Sequence, residues 1–463
     1  MDQQIVKSAR LGEEMVRIKH KSGLNMLLCP MKGYSTAYAT FTANVGSVDT
    51  GFKTQDDAEF VDVPEGIAHF LEHKMFENEE GDAFERYART GASANAYTSF
   101  DKTAYLFACT GNFEQSLEIL LDFVRRPYFT KESVQKEQGI IGQEIRMYDD
   151  DGDWRVQFNL LAALYHRHPV RIDIAGTVES ISKIDHELLY RCYRTFYNLN
   201  NMVLCVAGNF DVDTVLKVAD RVLNPDEKPV EIERRTVDEP ESVCRPLVEQ
   251  KLSVATPLFE FGFKGRAGAP RENLKNQVLD ELLADIIAGE ASPLYRRMYD
   301  AGIINATFGS EIMAGRDYMC AIFSGESREP ERVAREIKEE IARMKREGID
   351  ERMFGLCRRA TYGRYIGMYS RVESVAGLMA ATYFAGVDDI YSLLDIVADA
   401  TVEQLTERLE TAFDETRSAL SIVRRIKTMA VSVSAITSAL PAPARMRTSP
   451  VRGLATHSLA SGS

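Results

Sequence analysis

The chain has no run of about 18 apolar residues, the length a membrane-crossing helix requires. Its first stretch, Met1 to Leu28, threads Lys, Arg and Glu through the apolar positions, so no signal-like apolar block forms. The seven cysteines are odd in number and scattered, with no Cys-x-x-Cys pair, which argues against a thiolate metal site and a disulfide framework. Together with the missing signal block, this predicts a reducing compartment, the cytoplasm. Positive charge is also short: 56 Lys and Arg stand against 69 Asp and Glu, a formal net charge of -13. A surface of that sign is unsuited to nucleic acid, which needs a basic face. It keeps the chain in solution and suits cationic peptides better than anionic ones. Histidine is scarce, with seven in 463 residues, so an ordered pair of them carries information.

What is present is an ordinary globular composition, 45% hydrophobic and 27% charged, in a chain too long for a single core. Tyr38 to Val45 alternates with the period of a strand. Gly66 to Phe76 follows a Pro64-Glu65 start and repeats apolar residues at helical spacing. Ser93 to Tyr97 and Thr103 to Cys109 form a predicted hairpin, and helices are predicted at 113–125, 131–148 and 184–197, before a buried strand at 202–207. From Asn224 to Pro246 the chain turns polar and proline-containing, the mark of a linker. Beyond it a strand at 258–263 and helices at 273–287 and 292–301 echo the first half. The reading is α+β, with two similar mixed α/β-sheet domains at 1–223 and 247–426 joined by the 224–246 linker. Residues 427–463 hold four basic residues and no acidic ones, and read as a disordered tail.

The chemistry concentrates in His69-Phe-Leu-Glu-His73. Two histidines four apart on a helix share a face and can bind one ion through neutral imidazoles. Glu72 between them can hydrogen-bond a water near that ion, the place of a general base. This His-x-x-Glu-His order is the inverse of the commoner zinc-protease motif. A catalytic zinc takes three protein ligands, and the helix at 131–148 offers Glu137 and Glu144, seven residues apart on a stripe with Ile140 and Ile141. Pattern alone does not choose between the two glutamates.

Gly66-Ile-Ala-His-Phe-Leu-Glu-His73, then Ser93-Ala-Asn-Ala-Tyr-Thr98, then Glu137 to Glu144 resembles the insulinase/pitrilysin family of zinc peptidases. The likeness runs on through Gly176-Thr177 and Phe196 to Gly208, and is most similar to short bacterial members related to mitochondrial processing peptidase. The resemblance implies one Zn2+ per chain held by His69, His73 and Glu144, with Glu72 as base and Glu137 orienting a ligand histidine. It implies that the strand with Asn95 and Ala96 pairs with the substrate backbone as an added strand. It also implies duplicated domains enclosing a chamber for short or unfolded peptides. Catalytic relatives place an Arg and a Tyr over the substrate carbonyl; Tyr299 and Asn305 stand at those places here.

The expectation is therefore a cytoplasmic zinc endopeptidase acting on peptides, as a homodimer, or as a heterodimer with a paralogous subunit. The competing readings are a non-catalytic or partner-dependent subunit, and a metal-dependent peptide-binding module.

Overall fold

The computed structural model describes residues 2–426 apart from 80 and 388; the tail reading for 427–463 lies outside the described residues. In the first half seven strands form one sheet: β1 (Asp2–Lys7), β2 (Glu14–Lys19), β3 (Asn25–Pro30), β4 (Ala37–Ala43), β5 (Ser93–Thr98), β6 (Thr103–Cys109) and β7 (Met202–Gly208). Their order is β1-β2-β3-β7-β4-β6-β5. β7 is the central strand, and all of its residues, Met-Val-Leu-Cys-Val-Ala-Gly, are buried, which is why it reads as a continuous apolar run rather than an alternation. It runs parallel to β3 and antiparallel to β4.

The second half repeats this plan with five strands: β8 (Leu247–Leu252), β9 (Leu258–Lys264), β10 (Gly309–Ala314), β11 (Met319–Glu326) and β12 (Ser418–Arg425), ordered β8-β12-β9-β11-β10. As in the first sheet, the last strand inserts between two strands that follow one another in the chain, parallel to the earlier and antiparallel to the later. Two sheets with the same connection pattern are the structural form of the echo in the sequence.

Six helices position the site and join the halves: α1 (Ile67–Met75), α2 (Lys131–Asp149), α3 (Gly152–Leu164), α4 (Pro270–Ala288), α5 (Glu351–Tyr369) and α6 (Val372–Phe384). α1 and α2 stay with the first sheet, but α3 crosses over and packs on β8, β9 and β12 of the second. Gly262 makes the approach possible, because a Cβ there would meet Leu160 at 2.9 Å. In return α6 packs on β4 and β7 of the first sheet. Each crossing buries its own apolar cluster, Leu160, Leu161 and Leu164 with Ile322 and Ala419 in one, Cys205 and Ala207 with Val375 and Met379 in the other. Each buried leucine contributes roughly 2 kcal/mol, so the halves are bound by core-like contacts and do not behave as loosely tethered domains. We propose 1–223 and 247–426 as the two topological units, with this exchange of helices between them.

The 224–246 segment is polar but not slack. Ile232–Arg234 pairs with Gly51–Thr54, and Arg234 meets Asp49 at 2.9 Å while Arg316 of the second half reaches the same carboxylate at 3.1 Å. Glu239 accepts the backbone N–H groups of His166, Arg167 and His168 at 2.7 to 2.8 Å and the Lys264 ammonium at 2.5 Å. Burial alone would raise this carboxyl, but Lys264 and the three amides outweigh it and hold it at about 2. A carboxylate depressed on folding stabilises the protein above its unfolded pKa and loses that contribution as pH falls. Glu239→Ala is thus expected to cost about 3 kcal/mol at neutral pH. In urea titrations the gap to wild type should close between pH 4.5 and 2. A gap that stays constant over that range would contradict the assignment.

Candidate metal centre

α1 starts at Gly66, whose φ of +88° suits glycine and strains any side chain. A Cβ there would also lie 2.4 Å from the Ala175 carbonyl oxygen. The loop at 175–176 therefore presses on the first turn of α1, and the Ser180 hydroxyl donates to the Glu65 carbonyl at 2.9 Å to hold it there. Ile67, Phe70, Leu71 and Met75 fill the core. The helix is so enclosed that His69 is 3% and Glu72 8% exposed.

α2 lies beside α1 and is set by a capping box in which Thr130 accepts from the Ser133 N–H. Its buried face is centred on Val134, Ile141 and Ile145, which leaves Glu137 and Glu144 at the rim. Ile140, read from the sequence as inward with Ile141, lies a step beyond the rim and is 45% exposed. From the rim the two glutamates take different places. Glu144 faces both histidines through their Nε2 atoms, at 3.9 Å from His69 and 3.5 Å from His73. Glu137 receives His73 Nδ1 at 2.9 Å.

The ligand atoms of His69, His73 and Glu144 lie within 4.8 Å of one another, and no other group of three such residues among the described ones does so. Two imidazole nitrogens and a carboxylate oxygen are a zinc donor set. Burial, then the neighbouring His73, pushes the His69 imidazole down to about 3, so it offers a lone pair and not a charge. Its Nδ1 is buried with no hydrogen-bond partner among the described residues. For His73 burial lowers the pKa, but the bond to Glu137 and the surrounding carboxylates raise it overall. These residues fit a bound zinc ion. Glu137→Gln is expected to weaken zinc binding about 10-fold to 100-fold by releasing the ring orientation of His73, measured by competition with a chromogenic chelator.

Glu72 stands next to this set. Burial lifts its carboxyl to about 7, against the lowering effect of the Thr98 hydroxyl, which donates to Glu72 Oε2 at 2.6 Å. Thr98 closes β5, the outermost strand of the sheet, and Asn95 and Ala96 lie on the same strand, where the Asn95 side chain accepts the Ala96 N–H at 2.9 Å. The sequence reading passed over the roles of Thr98 and of Tyr148. Tyr148 stands one helical turn from Glu144 along α2, close enough to affect its carboxyl; the i, i+4 spacing was the available signal. Tyr299 stacks on Tyr295 on an exposed helix face, and Asn305 donates to Glu326; neither lines the cavity that reaches His69. That cavity, of about 270 Å³, is bounded by Thr98, Phe100 and Trp154 from the first half and by Gln277, Met313 and Tyr318 from the second.

In the second half α4 packs on β10 much as α1 packs on β5. At the spacing of His69, Glu72 and His73 it carries Gln277, Asp280 and Glu281. Asp280 is bound by both arms of the Arg408 guanidinium at 2.6 and 2.7 Å, and Glu281 by the Tyr365 hydroxyl at 2.9 Å.

Among the described residues no helix is long and apolar enough to cross a membrane. A family profile described as "Insulinase (Peptidase family M16)" matches residues 60–178, and one described as "Peptidase M16 inactive domain" matches 183–360. The chain is 40% identical over 407 residues to a Bacillus subtilis protein named "Uncharacterized zinc protease YmfH", covering 87% of this chain and 93% of that one. An "Uncharacterized zinc protease" of Rickettsia felis is 26% identical over 352 residues, 72% of this chain and 79% of the relative. Among solved structures, a putative M16-like peptidase from Alicyclobacillus acidocaldarius superposes with a TM-score of 0.86 at 34% identity, over 90% of this chain and 99% of that one. Pitrilysin shares the fold at 18% identity, TM-score 0.68, with 91% of this chain matching 46% of the larger one.

Proposed function

Because the chain belongs to the insulinase (M16) peptidase family, we propose that it is a zinc-dependent endopeptidase that hydrolyses short or unfolded peptides. The zinc ligands in this reading are His69, His73 and Glu144, and Glu72 is the general base. The observation that carries it is the convergence of two histidine Nε2 atoms on Glu144, with Glu72 held beside them by Thr98. Zinc, when bound, supplies a Lewis acid for the scissile carbonyl and makes water a better nucleophile.

The protein's own groups do the rest. Glu72 accepts the proton of the attacking water and returns it to the leaving amine, a task suited to a carboxyl poised near neutrality. Thr98 fixes the carboxylate so that one oxygen is committed and the other is free for water. Glu137 holds His73 in one tautomer through Nδ1. The edge of β5 at Asn95 and Ala96 lays an extended peptide along the sheet by main-chain bonds, which leaves side-chain choice to the flanking pockets. A cavity of about 270 Å³ admits a side chain and excludes a folded domain. Tyr299 stays a proposed substrate contact, from the second half's exposed helix. We propose the cytoplasm as its site of action; the seven cysteines are all free, six of them buried, as suits a reducing compartment.

The test is cleavage of a mixed peptide library by zinc-loaded protein. Activity should vanish with a chelator, return with added zinc, and be lost together with metal in His73→Leu. Protein that binds zinc but cleaves nothing, alone or with paralogous subunits, would defeat the enzyme reading. Cleavage only in the presence of such a subunit, as a heterodimer, would select the partner-dependent alternative.

A further inference from the structure

The two halves meet at the tips of matching hairpins. In the first half β5 turns into β6 through 99–102, and in the second β10 turns into β11 through 315–318. The tips touch, with the Phe100 and Tyr318 rings 5.9 Å apart and edge to face. From the second tip Arg316 reaches into the first half, where its Nη1 donates to Asp49 Oδ1 at 3.1 Å and its Nη2 to Asn44 Oδ1 at 3.2 Å. The Asp49 side chain is 1% exposed. Burying an ion pair of this kind is a costly way to join two surfaces, and apolar clusters already join these two. The directed fork of Arg316 therefore points to a geometric task.

The other Asp49 oxygen, Oδ2, accepts the Gly46 N–H at 2.9 Å and closes the 46–49 turn. That turn is laid directly on the 99–102 turn: the Ser47 N–H donates to the Ser99 carbonyl at 3.1 Å, and the Val48 N–H to the Phe100 carbonyl at 2.9 Å. There is no slack between them, since a Cβ at Gly46 would lie 2.4 Å from the Phe100 carbonyl carbon. Thr98 comes immediately before Ser99, and its hydroxyl donates to Glu72 Oε2 at 2.6 Å. Directional bonds thus run without a break from Arg316 through Asp49, the 46–49 turn and Ser99 to the group that holds Glu72. β5 is the outermost strand and pairs with β6 alone, so the 46–49 turn supplies polar contacts that its own hairpin does not.

Resting on the peptidase reading, we propose that Arg316 is a positioning residue for the general base. Through Asp49, the half that contributes none of the converging zinc ligands keeps the Thr98 hydroxyl in register with Glu72 and so sets kcat. Arg316 also borders the cavity that reaches His69; a direct contact with the peptide would act on KM instead.

The test compares zinc-loaded variants on a fluorogenic peptide. Arg316→Ala should keep its zinc and lose about 10-fold to 100-fold in kcat, the scale of a small misplacement of a reacting group, with KM within about twofold of wild type. Millimolar guanidinium, compared with sodium at equal ionic strength, should restore part of the loss. Arg316→Lys keeps the charge but cannot fork to Asp49 and Asn44 together, so it should fold and fall between the two. Thr98→Val should lower kcat by itself, and adding Arg316→Ala to it should change little, because both act through one hydroxyl. Glu239→Ala, which loosens another contact between the halves, should leave kcat of the folded protein unchanged. Losses that multiply in the double variant, a loss in KM alone, or an equal fall in Glu239→Ala overturns the assignment. Protein methyl-labelled at threonine gives a readout without turnover: the Thr98 methyl resonance should move in Arg316→Ala, return with guanidinium and stay in place in Glu239→Ala. Wild type that cleaves nothing while the resonance behaves in this way defeats the peptidase reading and leaves the link from Arg316 to Thr98 standing. Wild type that cleaves while the resonance is indifferent to Arg316 does the reverse.

Discussion

A Glu72→Gln protein is expected to retain its zinc and to lose about 10³-fold in kcat, the scale on which a positioned general base contributes. The geometry makes the two readouts separable. Glu72 is not one of the three converging ligands, and glutamine keeps the oxygen that accepts from Thr98, so the fold of α1 and the metal set are preserved. What is lost is the second carboxylate oxygen and its capacity to take a proton. KM should change little, because no binding contact to the peptide backbone is removed. Metal analysis together with initial rates on a fluorogenic peptide decides the matter; a variant within tenfold of wild type would mean that the proton is handled elsewhere.

The second large effect lies in the second half of the chain. Arg408→Leu is expected to destabilise the protein by about 3 to 5 kcal/mol, because it leaves the Asp280 carboxylate buried without its guanidinium. Asp280 is 1% exposed, and burial lifts its carboxyl to about 6 even with both arms of Arg408 against it. Without Arg408 the carboxyl must take a proton to stay inside, so the defect should shrink as the pH is lowered and the neutral form becomes available. Chemical denaturation at pH 8 and pH 5 measures this directly. A loss that is equal at both values would show that the guanidinium acts through packing alone.

Much of the first half was legible because its signals are local. The period of two over 38–45 and 103–109 and the helical spacing over 66–76 depend only on which residues stand next to one another, and the structure places elements there. The same holds for His69, Glu72 and His73, since one helical turn is enough to put them on a common face. Their likeness to a peptidase family was legible for the same reason, and the family profile and the Bacillus subtilis relative agree with it.

Other features depend on contacts between segments far apart in the chain. Glu137 and Glu144 lie on one stripe of α2 and look alike from the sequence; their difference comes from the height at which α1 crosses that stripe, which sets Glu144 against two Nε2 atoms and Glu137 against one Nδ1. Val156, Leu160, Leu161 and Leu164 would make α3 amphipathic against any apolar surface, and nothing in their spacing says that the surface is the other half's sheet. Glu260 and Glu311 could belong to the outward side of their strands under simple alternation; the sheet register turns them inward, into an acidic pocket. Periodicity and motif spacing thus carried the elements and the metal-binding face, because both are set within a turn or a strand. Which glutamate faces both histidines, the exchange of helices and the charge of the neighbouring pocket were decided by packing, because each rests on which surfaces meet.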